Sequence, residues 1–311
     1  MPRVDLRDYQ ADAFERARDA VRAGKRRILI VAPTGGGKTV LASALMEMVR
    51  EKGNRANFVI DRLSLLTQTS ETFDRYDLDH GVIQSQHVRY RPSLPIQICS
   101  VQTLGKRGWP DSHVDVLDEA HVLHETQKKR MESGATVVLG LTATPFTKGL
   151  GKWFDTVINV TTTRKLIEQG WLVPYRIFSC TAPDMTGVTV KSSGEWDEGE
   201  SSKKALEVVG DVVQEYLRLG EDRRFICSAV DVAHVEELAR QFLSAGINVA
   251  TFTYRDGAED REDTLAEFRK INSSIRGLIT VTAASRGMDC PPVSCVIMAR
   301  PLRKSLAEHI Q

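Results

Sequence analysis

Short apolar runs alternate along the first half of the chain with longer stretches in which apolar residues recur at helical spacing. The helical pattern covers residues 11–23 and 40–52, and a further helix runs through Phe73. The runs predicted as strands are residues 28–31, 56–60, 96–100, 114–117 and 136–141. Strands that alternate with helices predict a mostly parallel sheet with helices on both faces.

A second alternation follows a polar stretch, residues 191–204, which we predict to be an exposed loop. Its predicted helices are 205–219, 231–245 and 259–270, and its predicted strands are 175–180, 224–228, 248–252, 277–281 and 293–298. A short helix over 164–170 with a glycine stop marks the boundary. The sequence therefore predicts two α/β domains, residues 1–165 and 166–311.

The composition is consistent with two globular domains and indicates in which cellular compartment the protein is expected. With 311 residues, 41% hydrophobic and 27% charged, the chain is long enough for about two domains. Apolar runs all fall short of the roughly 20 residues that a membrane span needs, and residues 1–7 lack the apolar core of a signal peptide. We therefore expect a cytoplasmic protein without a membrane partner.

Cysteines and net charge add two further expectations. The five cysteines are scattered without CxxC spacing, which predicts free thiols in a reducing compartment and no metal site made by cysteine. The formal net charge is +1, so contacts with nucleic acid must be local and not the product of a global basic field.

The strongest chemical signal lies between the strand at 28–31 and the helix that follows it. This stretch reads Ala-Pro-Thr-Gly-Gly-Gly-Lys-Thr over residues 32–39, the pattern of a phosphate-binding loop with Ala at its first position. Its glycines let backbone N–H groups surround an anion, and the helix N-terminus adds its dipole. We expect ATP and Mg²⁺ to be bound by Thr34, Gly35, Gly36, Gly37, Lys38 and Thr39.

A second chemical centre follows the apolar run 114–117, where the sequence continues Asp118-Glu119-Ala120-His121. At the end of a strand beside the phosphate loop, Asp118 can hold Mg²⁺ together with Thr39, while Glu119 orients and deprotonates the attacking water. Adjacent acids are common on surfaces, but here a hydrophobic strand runs directly into them.

Polar residues near other predicted strand ends carry weaker signals. Gln10, ahead of the phosphate loop, has an amide that can read adenine. The hydroxyls of Thr142 and Thr144, after the strand at 136–141, can relay a change at the phosphates to another domain. Four further residues can bind a phosphodiester backbone, although each alone is more typical of an ordinary cap or loop: Arg62, Gln68, Gln102 and Thr103.

The second domain lacks a glycine-rich phosphate loop of its own. Between its last two predicted strands it carries Arg286, Gly287 and Asp289, which suit a loop facing the ligand of a neighbouring domain or, equally, a salt-bridged turn.

In this order, the motifs resemble those of superfamily 2 helicases of the DEAH or DExH type. The resemblance covers essentially the whole chain, and its phosphate loop and Asp-Glu-Ala-His motif are its specific parts. The run Leu-Thr-Ala-Thr-Pro-Phe at 141–146 and the linker Ile167-x-x-Gly170-x-Leu172 are similar to RadD-like bacterial helicases and their phage relatives.

The resemblance implies two tandem RecA-like domains that hydrolyse ATP and move along or unwind nucleic acid, with DNA favoured over RNA. It implies catalytic roles for Lys38, Asp118 and Glu119, and that His121, Thr142 and Thr144 couple hydrolysis to domain motion. From the second domain, Arg286, Gly287 and Asp289 are implied to approach the nucleotide.

The chain departs from the family at its end. The family motif Gln-x-x-Gly-Arg-x-x-Arg would begin at Gln311, the last residue. We therefore expect weakened hydrolysis, unless a partner protein or a further C-terminal segment supplies the arginine finger, which is worth roughly 10³ to 10⁵ in turnover. The alternative function is a nucleotide-gated nucleic-acid clamp or assembly subunit that binds ATP without hydrolysing it efficiently.

Overall fold

The computed structural model describes residues 5–61, 63–178, 182–192, 194–281 and 290–302. By their contacts these residues form two compact units, the first ending at Tyr175 and the second beginning at Arg176. The boundary predicted after residue 165 lies within a helix of the first unit, Thr163–Glu168.

The first unit is built on a parallel sheet of seven strands in the order β3-β4-β2-β5-β6-β1-β7. The strands are β1 Arg27–Val31, β2 Ala56–Ile60, β3 Gly81–Ile83, β4 Ile96–Ser100, β5 Val114–Leu117, β6 Val137–Thr142 and β7 Thr156–Asn159. The helices are α1 Asp8–Arg22, α2 Lys38–Glu51, α3 Leu63–Arg75, α4 Val101–Arg107, α5 Glu125–Glu132 and α6 Thr163–Glu168.

Continuous apolar runs form the centre of this sheet because helices cover both of its faces. All five residues of β2 and of β4 are buried. Helix α1 buries Ala13, Phe14 and Ala17, the stripe that its helical periodicity predicts. The parallel sheet predicted from the sequence is therefore confirmed.

Several elements differ from the prediction. Helix α1 begins at Asp8 and not at residue 11, because Arg7 and Gln10 form a capping box that places Gln10 inside the helix. Three elements were not predicted: β3, which has three residues, α5, which buries only Gln127 and Met131, and the edge strand β7. Residues 175–178 of the predicted strand 175–180 have no regular structure, and residues 179–180 lie outside the described part.

The second unit has a parallel sheet of four strands in the order β11-β8-β10-β9. Its strands are β8 Phe225–Ala229, β9 Val249–Phe252, β10 Gly277–Val281 and β11 Cys295–Met298. Its helices are α7 Glu198–Glu207, α8 Val209–Leu219, α9 Val232–Ser244 and α10 Ala258–Arg269. Within the described ranges, the structure has no helix with the length and hydropathy of a membrane span.

An exposed loop is predicted over the polar stretch 191–204, but the structure has a helix in the last part of this stretch. Helix α7 begins within it because Asp197 caps the helix by accepting a hydrogen bond from the Glu200 N–H. The inward face of α7 uses small residues, Ser201, Ser202 and Ala205, which do not produce an apolar periodicity. The helix predicted over 205–219 is accordingly two helices that meet at Val208.

Strand order brings the two chemical motifs together. Strands β5, β6 and β1 are consecutive neighbours in one parallel sheet, so the segments that follow them leave at the same edge. These segments carry the Asp-Glu-Ala-His motif, Thr142 to Thr144 and the phosphate loop. The fold thus predicts that these residues share one site.

A buried carboxylate fastens α5 to the strand that leads into this site. Asp115 on β5 is fully buried and accepts hydrogen bonds from Arg130 at 2.8 Å, Thr136 at 2.7 Å, Ser112 at 2.7 Å and Asn57 at 2.8 Å. Both carboxylate oxygens therefore have two donors each. A buried charge that is paired and hydrogen-bonded in this way is tolerated, but the loss of one partner is costly.

We predict that Asp115→Asn lowers the free energy of unfolding by about 3 kcal/mol, because an amide group would face donors and leave Arg130 without its counter-charge. Urea unfolding followed by circular dichroism measures this loss. Asp111→Asn is the matched control, since Asp111 is exposed in the segment that precedes β5. Equal stabilities of the two variants would contradict the prediction.

The second unit contains a histidine that resists protonation. His234 on α9 is fully buried, and its Nδ1 accepts a hydrogen bond from the Val230 N–H at 3.3 Å. Its Nε2 is buried without a hydrogen-bond partner in the described part of the chain. Burial lowers the pKa of His234 to about 4, against the opposing negative charge of Asp231.

Because this pKa is lower in the folded state than the roughly 6.5 of an unfolded histidine, the unfolded state binds more protons below pH 6.5. Stability should therefore fall as the pH decreases from about 6.5 towards 4. Between pH 7.5 and 4.5 the wild type should lose about 2 kcal/mol more than His234→Gln, measured by urea unfolding. Parallel pH profiles for the two proteins would show that His234 does not titrate in this way.

Candidate nucleotide site

The phosphate loop has the backbone that its glycines predict. Gly37 has a φ of 79° and ends the loop, after which α2 begins at Lys38. The Gly36 N–H donates to the Pro33 carbonyl at 2.8 Å and closes a turn. Helix α2 has no side-chain cap and no acidic residue in its first turn. Its N-terminal N–H groups and dipole therefore remain suited to an anion.

Gln10 is packed against this loop. Its side chain is buried; its Nε2 donates to the Gly36 carbonyl at 3.2 Å, and its Oε1 accepts from the Arg7 N–H at 3.0 Å. A β-carbon at Gly37 would lie 2.5 Å from the Gln10 Nε2. Gly37 is thus required both for its backbone conformation and for this close approach. The predicted contact of Gln10 with adenine stays a prediction, and one Nε2 hydrogen is left to make it.

Lys38 and Glu119 form an ion pair across the site. The Lys38 ammonium lies 2.8 Å from the Glu119 Oε1, and both side chains are mostly buried. Glu119 has a φ of 47°, in the left-handed region that non-glycine residues rarely adopt. This conformation occurs in the turn that follows β5, and it sends the Glu119 carboxylate to Lys38. Strained backbone of this kind is concentrated at functional sites.

The two adjacent acids have different protonation behaviour. Removal from water, reinforced by the charge of Glu119, raises the pKa of Asp118 to about 6. Burial acts in the same direction on Glu119, but His121 and Lys38 outweigh it and lower the pKa of Glu119 to about 2. Glu119 is therefore a carboxylate at neutral pH, as a group that accepts a proton from water must be.

His121 connects Glu119 to the end of β6. Its Nδ1 lies 3.2 Å from the Glu119 Oε2 and forms a hydrogen bond of 3.1 Å with the Thr142 Oγ1. The same hydroxyl oxygen accepts the Thr144 N–H at 3.0 Å. The structure thus brings together four residues that the sequence singled out, in a continuous line of polar contacts from Glu119 to Thr144.

The donor set fits a nucleotide with Mg²⁺. The exposed Thr39 hydroxyl and the Asp118 carboxylate are oxygen ligands of the kind that Mg²⁺ prefers, and Lys38 supplies a positive charge. His121 Nε2 is a buried atom without a hydrogen-bond partner among the described residues. Such atoms at a site are expected to be completed by water or a ligand.

Three of the residues predicted to hold nucleic acid, Gln68, Gln102 and Thr103, lie in the helices that follow β2 and β4, and they differ in their availability. Gln68 is exposed on α3. Gln102 on α4 donates to the Asp61 carbonyl at 2.8 Å and accepts from the Ser100 hydroxyl at 2.7 Å. Thr103 accepts a long hydrogen bond, 3.4 Å, from the Ser85 N–H.

Asp61, directly after β2, is a residue that sequence analysis missed. Its carboxylate lies 2.8 Å from the His124 Nε2 and also faces Gln102 at 3.2 Å. It thereby joins the segments after β2, β4 and β5. A single acid after a strand gives no distinctive sequence signal. Four predicted residues, Arg62, Arg286, Gly287 and Asp289, lie outside the described ranges.

A cavity of about 410 Å³ beside the start of α1 was also missed. Its lining residues are Asp5, Leu6, Arg7, Asp8, Tyr9, Gln169 and Trp171. The Arg7 guanidinium carbon lies 3.7 Å from the centre of a Trp171 ring, and the Arg7 Nη1 donates to the Tyr9 hydroxyl at 2.8 Å. Arg7 thus links the wall of the cavity to the capping box that holds Gln10.

Comparison with known proteins covers both units. The family described as the res subunit of type III restriction enzymes matches residues 3–147, and the helicase conserved C-terminal domain matches residues 208–311. A 51.5 kDa protein of a Lactococcus phage is 28% identical over 91% of this chain and 61% of its own length. The provisionally named ATP-dependent helicase IRC3 of Saccharomyces cerevisiae is 25% identical over 96% of this chain and 47% of its own.

The chain therefore spans about half to three-fifths of the length of these two relatives. Among solved structures, the Hef helicase domain of Pyrococcus furiosus has the same fold, with a TM-score of 0.59 over 98% of this chain and 91% of that domain. Its sequence identity to this chain is 14%. The predicted pair of α/β domains of the RecA-like type is thus confirmed.

The left-handed backbone at Glu119 gives a prediction about stability. Glu119→Gly and Glu119→Ala both remove the ion pair with Lys38, but only glycine adopts a φ of 47° without steric cost. The glycine variant should therefore be more stable than the alanine variant by about 1 kcal/mol in urea unfolding. At an ordinary position the order is the opposite, so a more stable alanine variant would contradict the backbone assignment.

Proposed function

Because the chain belongs to the superfamily 2 helicases of the DExH type, we propose that it couples ATP hydrolysis to movement along DNA or to its unwinding. The observation that carries this proposal is the Lys38–Glu119 ion pair at the end of β5, directly beside the phosphate loop. A protein that only bound nucleotide would not need a carboxylate held ionised at this point. The identification as an ATP-dependent helicase rests on the family. The choice of DNA as the substrate, and the coupling of hydrolysis to movement or unwinding, are our proposal.

Each residue of the site has a role that its contacts support. The phosphate loop and the N-terminus of α2 bind the triphosphate, and Lys38 leaves Glu119 to neutralise the transferred phosphate. Glu119, then free of its partner, orients water and accepts its proton. Thr39 and Asp118 would hold Mg²⁺, which supplies charge neutralisation to the phosphates when it is bound.

His121, Thr142 and Thr144 transmit the state of Glu119 to the end of β6. When Glu119 changes partner, the Nδ1 of His121 loses or gains its 3.2 Å neighbour, and the hydrogen bond to Thr142 adjusts with it. We assign the nucleic-acid contact of the first unit to Gln68, Gln102 and Thr103, in addition to Arg62, which the sequence alone predicts. Contacts of this kind read the phosphodiester backbone and are largely independent of sequence and sensitive to salt.

We predict that Lys38→Ala and Glu119→Gln each reduce DNA-stimulated ATP turnover at least 100-fold, for different reasons. Removal of Lys38 weakens nucleotide binding, whereas Glu119→Gln retains binding and removes the base, which is typically worth 10² to 10⁴ in rate. A steady-state phosphate-release assay with single-stranded DNA, together with equilibrium binding of ATP, separates the two effects.

Lys52→Ala and Glu51→Gln are the matched controls, because both residues are exposed at the far end of α2. Turnover by Lys38→Ala or Glu119→Gln at the level of these controls would overturn the proposal. ATP-dependent DNA binding by the wild type without turnover would instead show a nucleotide-gated clamp.

A further inference from the structure

The segment that follows α6 contacts two separate parts of the nucleotide site. It leaves the helix through a Schellman motif: the Trp171 N–H donates to the Leu166 carbonyl at 2.8 Å, and the Gly170 N–H donates to the Ile167 carbonyl at 3.0 Å. Gly170 has a φ of 74°, as this motif requires. The Leu172 N–H also reaches the Leu166 carbonyl, at 3.2 Å. The positions of Trp171 and Leu172 are therefore fixed by the end of the helix.

Trp171 contacts Arg7, three residues before the glutamine that is predicted to read adenine. It stacks against the Arg7 guanidinium at 3.7 Å, a cation–π geometry, and forms one wall of the 410 Å³ cavity. The Arg7 N–H donates a hydrogen bond to the Gln10 Oε1, and the Gln10 Nε2 donates to the Gly36 carbonyl. Three consecutive contacts thus connect Trp171 to the phosphate loop through the one side chain predicted to read adenine.

Leu172 contacts the phosphate loop itself. A β-carbon built on Gly35 would lie 2.6 Å from the Leu172 Cδ2, so the leucine side chain packs directly on this glycine. Gly35 has a φ of 77° and is one of the residues whose backbone forms the anion cradle. The neighbouring Val173 and Tyr175 are 82% and 65% exposed, which sets them apart from this packing.

From this geometry we infer that Trp171 and Leu172 are positioning residues of the nucleotide site: Trp171 fixes Arg7 and Gln10 for the base, and Leu172 fixes Gly35 for the phosphates. The inference rests on the proposed binding of ATP by the phosphate loop. It assigns a function to the segment that leads from α6 to the second unit, where a solvated connection would otherwise be expected.

The test compares ATP with tripolyphosphate, which has phosphates but no base. Trp171→Ala should weaken ATP binding about tenfold, the range of a partly desolvated cation–π contact, and leave tripolyphosphate binding within twofold of the wild type. Leu172→Ala should weaken both ligands by the same factor. Trp171→Phe, which keeps an aromatic face over Arg7, should restore most of the ATP affinity.

Affinities are measured by competition with a fluorescent ATP analogue in the presence of Mg²⁺, and the urea midpoint of each variant shows that it folds. Val173→Ala is the matched control in the same segment. Equal ratios of ATP to tripolyphosphate affinity for Trp171→Ala and the wild type would overturn the role of Trp171, and unchanged affinities for Leu172→Ala would overturn that of Leu172. If the wild type and Lys38→Ala bind ATP equally, the proposed nucleotide site itself fails.

Discussion

The site depends on the ion pair between Lys38 and Glu119, because this contact joins the loop after β1 to the turn after β5. The backbone places both partners so that they meet. Lys38 is fixed at the first residue of α2, and Glu119 is directed by a left-handed backbone. The intervening strand β6 supplies Thr142, whose contact with His121 supports Glu119 from the opposite side. A parallel sheet with these three strands adjacent is the fold-level condition for the arrangement.

Much of this could be predicted from the sequence. The glycines of the phosphate loop and the apolar strand that runs into Asp118 and Glu119 have local patterns, and α/β alternation places them at one sheet edge. The residues that were missed act through tertiary contacts that have no local pattern. In the sequence, Arg7 resembles a solvated residue before a helix, Asp61 resembles a turn residue, and Trp171 resembles part of a linker. In the structure, Arg7 and Trp171 stack on each other, and Asp61 pairs with His124. β7 was missed because an edge strand needs only one buried residue, Ile158.

Buried hydrogen bonds of Asp115 help to keep strand β5, which leads into the site, in a fixed position. Asp115 lies on β5 three residues before Asp118, and its four donors tie β5 to α5, to the neighbouring strand β2 and to the residues that precede β5 and β6. A buried carboxylate with four donors restricts the strand, since any shift would leave the charge without its partners. The strained turn at Glu119 is thus attached to one of the most constrained strands of the sheet.

In the structure the ammonium that a nucleotide phosphate needs is already engaged, because Lys38 is paired with Glu119. A phosphate ligand must therefore replace this contact, and its observed affinity is reduced by the free energy of the ion pair. The released Glu119 carboxylate can then accept a proton. Glu119 can therefore act as the base only after a phosphate group of the nucleotide has replaced it as the partner of Lys38. The ion pair that organises the site thus also makes water activation depend on the presence of the nucleotide.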